Sequence, residues 1–138
     1  MSQITRQLIL RANAVFLLAA SAGGMYSDLI GAFFARGQLA PVLAGAPHAA
    51  IGFVEAHGLA FIIGVLLWRA EPARSWHLTA AAVHALLGTA NLVFWQIFIA
   101  ADMLAVGYVT TTLHWLFVAL HTAAIVTAES RAPQTAQT

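Results

Sequence analysis

No cysteine and no lysine occur in this chain. The first absence excludes disulfides, thiolate metal sites and thiol nucleophiles. The second leaves six arginines against five acidic residues, a formal charge of +1. A nucleic-acid partner would require a basic patch, and none is present. Charge of either sign is scarce: 8% of residues are charged and 61% are hydrophobic, where a water-soluble domain averages about 25% and about 45–50%. So few charges cannot clothe a surface in water, so the lipid bilayer is the expected covering. The 138 residues suit one domain, and neither an internal repeat nor a low-complexity linker interrupts them.

What is present is a series of apolar runs, at about 8–34, 49–69, 76–100 and 103–128. Each is long enough to cross the hydrocarbon, which takes about 20 residues of helix. No alternating pattern suggests a barrel, and in lipid the backbone must satisfy itself, so helices follow. Gly37, Pro41, Gly45 and Pro47 break the chain between the first two runs. Residues 69–74 form a charged turn and Ala100-Ala101-Asp102 a very short one. Ala20-Ser21-Ala22 resembles a signal-peptidase site, but the apolar run continues to Phe34, so an uncleaved first helix is expected. The expected fold is an all-α integral membrane four-helix bundle over residues 1–128, followed by a polar cytoplasmic tail at 129–138.

In this topology Arg6, Arg11, Arg69, Arg74 and Arg131 fall on one side and Arg36 alone on the other. The positive-inside bias therefore predicts both termini in the cytoplasm.

Ionisable groups within spans are costly and tend to face the bundle interior. Asn13, Ala20, Gly24 and Asp28 share one face of the first span. His77, His84, Gly88, Asn91 and Trp95 share a face of the third, and Thr111, His114, Val118 and His121 a face of the fourth. In the second span Glu55 and His57 lie about 200° apart around the axis. Gly52 and Gly58 flank Glu55, and small residues allow close helix approach, so Glu55 is expected inside, facing Asp28. His57 is then expected toward a flank or a second subunit. Counting rise from the helix ends sets Asp28, Glu55 and Asn91 in an outer layer, with His84 and His121 level with one another nearer the cytoplasm.

Three chemistries fit such an interior. His84 and His121 are a candidate axial pair for haem b, with Gly88 making room for the macrocycle. Asp28, Glu55, His57 and His114 form a candidate site for a divalent metal. The same groups suit proton transfer on a lipid-soluble substrate. Against these stands a structural role, in which buried Asn, His and carboxylate groups hydrogen-bond across helices and set their register, at roughly 0.6–2 kcal/mol each. In that light His77 and His48 read as interfacial residues.

Leu8-Ile9-Leu10-Arg11 at the first span, Glu55-Ala56-His57-Gly58-Leu59-Ala60-Phe61-Ile62-Ile63-Gly64 in the second and Arg69 after it resemble the DoxX-like group of small bacterial four-helix membrane proteins. The resemblance covers the first half of the chain and carries over Arg11, Glu55 and Gly64. It implies a bacterial inner-membrane protein with a redox association, since that family includes subunits linked to quinone-coupled sulfur-compound oxidation. The second half, with His84, Asn91, His114 and His121, departs from the family pattern.

The reading that results is a multi-pass inner-membrane protein that binds a small redox cofactor or a lipid-soluble ligand such as a quinone. Glu55 and Asp28 would form the acid/base or ligand pair. His84, His121, His114 and Asn91 would be the cofactor-binding residues. The alternatives are an acid/base enzyme acting on an apolar substrate and a structural subunit of a membrane complex or homo-oligomer.

Overall fold

The structure, a computed structural model, describes residues 1–129, with side chains through Thr127. The expected tail lies outside the described residues from position 130 onward. All regular structure among the described residues is helical, in the order α1 (Gln3–Phe34), α2 (Ala40–Gly45), α3 (Ala49–Arg69), α4 (Arg74–Val93), α5 (Trp95–Ala100) and α6 (Leu104–Glu129). Three of these, α1, α3 and α6, are long and apolar enough to cross a membrane, which marks the chain as a membrane protein. The less apolar α4 is 20 residues long and carries two buried histidines.

Local chemistry sets the helix ends. Ser2 caps α1 by accepting the backbone N–H of Thr5 at 3.1 Å. Ala35 closes it in the left-handed region with φ 50°, and Gly37 (φ 81°) turns the chain toward α2. Pro41 sits in the first turn of α2, where its missing N–H costs no helix bond. The run read from the sequence as one span at 76–100 is divided. Phe94 leaves helical geometry (φ −102°, ψ 29°), and α5 follows. Asp102 then turns the chain with φ 53°, a conformation that a short polar side chain tolerates.

The long helices associate as two antiparallel pairs, α1 with α3 and α4 with α6. Each pair packs closely at a glycine. A side chain at Gly64 would meet Leu18, including its backbone nitrogen at 3.2 Å, and one at Gly88 would meet Trp115 and the Cβ of His114. The pairs pack on one another through an apolar cluster near each end and through Phe16 of α1, whose ring stacks on Phe117 of α6 at 5.6 Å between centroids. Leu10, Ala14, Leu17, Leu67, Ala70 and Ala80 form an apolar cluster toward the N-terminal end. Leu39, Leu43 and Ala101 form another beneath α2 and α5. Gln7 Nε2 donates to the carbonyl of Ala70 at one end, and Gln38 Nε2 to that of Asp102 at the other. Between the clusters, polar side chains and a cavity occupy the seam.

Candidate functional site

Seven residues advance an α-helix by nearly two full turns. His77, His84 and Asn91 are spaced by seven on α4, as are His121 and His114 on α6. Since the two helices run antiparallel, equal steps keep the rungs matched. His77 Nδ1 meets His121 Nδ1 at 2.9 Å. His84 Nδ1 meets His114 Nδ1 at 2.8 Å. Asn91 Nδ2 donates to the hydroxyls of Thr110 and Thr111 at 3.2 and 3.1 Å.

Asn13 of α1 joins the first two rungs. Its amide bridges His84 Nε2 at 2.6 Å and His121 Nε2 at 2.7 Å. The result is an unbranched chain of five side chains, His77–His121–Asn13–His84–His114, crossing from one helix pair to the other. Asn13, His77, His84 and His121 are 0% exposed. Phe117 stacks on His84 at 5.0 Å between ring centroids, and Phe16 lies on the same ring at 6.0 Å. In such low-dielectric surroundings a satisfied network is worth most and an unsatisfied group costs most.

A second polar unit stands on α1 and α3. His57 Nδ1 pairs with Asp28 Oδ2 at 2.6 Å. The ring lies directly over Gly24, where any Cβ would collide with it. Gly24 and Asp28 are one helical turn apart, so the first supplies space and the second the partner. Asp28 is 0% exposed, and its Oδ1 is buried without a hydrogen bond.

Between the two units lies a cavity of about 620 Å³, within the usual size of a small-molecule site. Leu17, Ala60, Leu87 and Phe94 contribute apolar walls, and His57, Asn91 and His114 contribute polar groups.

Several expectations change. Asp28 and Glu55 do not face one another: Glu55 is exposed on the outer side of α3, and His57 takes the inward place beside Asp28. The flanking glycines misled because a side-chain carbon at Gly52 would meet nothing within 4 Å and one at Gly58 only Met25 at 3.9 Å, whereas one at Gly64 would meet Leu18 at 3.0 Å. His84 and His121 are near, with ring centroids 6.4 Å apart, but they are not opposed as axial ligands. Every ring nitrogen of both is hydrogen-bonded, and the Asn13 amide fills the space between their Nε2 atoms. These residues therefore do not fit a haem held between two imidazoles. Nor, among the described residues, do three His, Asp or Glu side chains gather as a metal-holding group. His77, read as interfacial, is fully buried on His121. Asn13 and His77 were placed on polar faces of their spans but not among the candidate site residues. The seven-residue step shared by the two histidine helices was the signal that could have found His77.

The fold and site define a helical membrane protein with a buried histidine network beside an apolar cavity. Comparison of the chain with protein-family models, curated proteins and solved structures finds no match.

Proposed function

We propose that this protein binds a lipid-soluble small molecule in the cavity between its two helix pairs. The observation that carries the reading is the cavity itself: about 620 Å³, apolar over most of its wall, with His57 and His114 as polar fixtures. A site of that kind suits a largely hydrocarbon ligand carrying a hydrogen-bonding group. Quinones belong to this class. The proposal includes a bacterial inner membrane, crossed by α4 as well as by the three more apolar helices, with both termini cytoplasmic. The arginine distribution supports the orientation, and the likeness of the first half to DoxX-like proteins supports the location. Glu55, exposed on α3, supports a further subunit against that face, because a carboxyl group turned to lipid is costly.

A second reading is favoured by the Asp28–His57 pair. A carboxylate on Nδ1 orients an imidazole and leaves Nε2 as a base, which would serve proton transfer on the bound molecule.

Photolabelling tests the binding reading. A diazirine-bearing long-chain quinone should crosslink to residues lining the cavity, and Ala60→Trp and Ala90→Trp, which fill it, should reduce labelling by about tenfold, the effect of roughly 1.4 kcal/mol. Labelling that is confined to the outer helix surfaces, or unchanged in both filled variants, would overturn it. Orientation is open to a direct check because the chain lacks cysteine. Gln3→Cys should react only from the cytoplasmic side and Gly45→Cys only from the other.

A further inference from the structure

The five-residue chain has a direction, and that direction decides what the cavity offers a ligand. An uncharged imidazole has one N–H and one lone pair, and a carboxamide donates from nitrogen and accepts at oxygen. With all rings uncharged, each contact in His77–His121–Asn13–His84–His114 holds one proton. Choosing the donor at one contact fixes the donors at all the others.

Two arrangements exist. With Asn13 Nδ2 toward His121 and Oδ1 toward His84, the donors run from His114 to His77. His77 then ends the chain with an Nε2–H, and His114 keeps a lone pair on Nε2. A half-turn of the amide exchanges its nitrogen and oxygen at the same two contacts and reverses every donor. His77 then ends with a lone pair, and His114 with an Nε2–H.

The surroundings of His77 distinguish the two. Its Nε2 is buried with no hydrogen-bond partner, and so is Nε of Arg6. Arg6 lies within electrostatic reach of His77. It precedes Asn13 by seven residues, on the same face of α1. Guanidinium only donates. The first arrangement therefore leaves two donors at this end with no acceptor, and the second sets a lone pair near a cationic donor, to be met directly or through one water. An unmet buried donor pays its desolvation with no hydrogen bond in return.

At the other end His114 lines the cavity, and its Nδ1 is taken by His84. That leaves Nε2 for the cavity. We propose that Arg6, acting through this chain as a positioning residue, holds His114 with Nε2–H toward the cavity, so that the ligand is recognised by an acceptor oxygen of carbonyl type. This names the ligand class for the cavity proposed above and rests on that reading.

The test begins with ligand-free protein labelled with ¹⁵N-histidine, in which nitrogen shifts report each tautomer. The expected result is N–H at Nδ1 in His77 and His84 and at Nε2 in His121 and His114. Arg6→Met should shift all four tautomers together, and Arg6→Lys should restore them. The opposite set in the unaltered protein, or tautomers indifferent to Arg6→Met, would overturn the proposal. Binding is then measured in bilayers with a long-chain methyl ketone and the alkane of equal length. His114→Leu should weaken the ketone by about tenfold, one hydrogen bond, and leave the alkane unchanged. Equal effects on both probes would overturn the carbonyl assignment. If neither probe binds while the tautomers are as expected, the failure belongs to the cavity reading and the ligand class falls with it, whereas the polarity of the chain stands on the tautomers alone.

Discussion

The imidazole of His57 occupies the place where a side chain at position 24 would be. Gly24 is thereby tied to the pairing of His57 with Asp28, one turn further along α1. Gly24→Ala should push the ring off the carboxylate. A buried carboxylate left without its partner costs about 3–5 kcal/mol, and the thermal midpoint in detergent should fall accordingly. A variant as stable as the parent, with the His57 nitrogen shifts unmoved, would show that the ring has room elsewhere.

Asn13 holds both helix pairs by its two amide contacts. Asn13→Leu keeps the approximate volume and orphans Nε2 of His84 and of His121. At about 1–3 kcal/mol for each unsatisfied group, the loss should exceed that of most single substitutions. A cycle with His84→Leu should show coupling, because the two singles together leave four orphaned groups and the double variant only two, Nε2 of His121 and Nδ1 of His114. Strict additivity would argue against the bridge.

The glycines of α3 should separate cleanly. Gly64→Ala brings a methyl group to 3.0 Å from Leu18 Cγ and 3.2 Å from its backbone nitrogen, and backbone cannot rotate away. Overpacking of this kind costs about 1–3 kcal/mol. Gly52→Ala meets nothing within 4 Å and should be neutral or slightly stabilising through its better helix propensity. Denaturation of both variants side by side checks the contrast.

Glu55 and Asp28 should also part company. Glu55 is exposed on α3, so Glu55→Gln should alter the stability of the isolated chain by no more than about 0.5 kcal/mol and leave cavity labelling intact. Asp28→Asn replaces the carboxyl group that His57 meets at 2.6 Å and should disturb both. Equal sensitivity at the two positions would return Glu55 to the interior.

The helices were legible in the sequence because the bilayer demands long apolar runs, and the breakers in the first two connections are glycine and proline. The break at Phe94 was not, since no glycine or proline marks it. Neither was the facing of α3, where apolar residues surround the axis so evenly that Glu55 and His57 compete for the interior with no stripe to choose between them. The polar faces of α1, α4 and α6 were readable, but the pairing across them was not. Levelling His84 with His121 assumed that the start of α4 and the end of α6 align, whereas α4 has 20 residues and α6 has 26. Matching by the seven-residue step brings His84 to His114 instead. Asn13 could be seen as a polar residue on a favourable face, but its role as a bridge depends on how the two helix pairs meet, which no local pattern encodes.

The seam between the helix pairs also constrains the order of biosynthesis. Asn13 is made 71 residues before His84 and 108 before His121. At about 5–20 residues per second, its amide waits on the order of 4 to 20 seconds for the groups that will hold it. During that interval the first hairpin, already long and apolar enough to enter lipid, carries the Asn13 amide on a face that is later buried. Its early life in the membrane therefore depends on temporary company, whether the insertion machinery, water at the lipid surface or another nascent chain. A substitution that makes the first hairpin more self-sufficient would ease insertion while weakening the finished molecule.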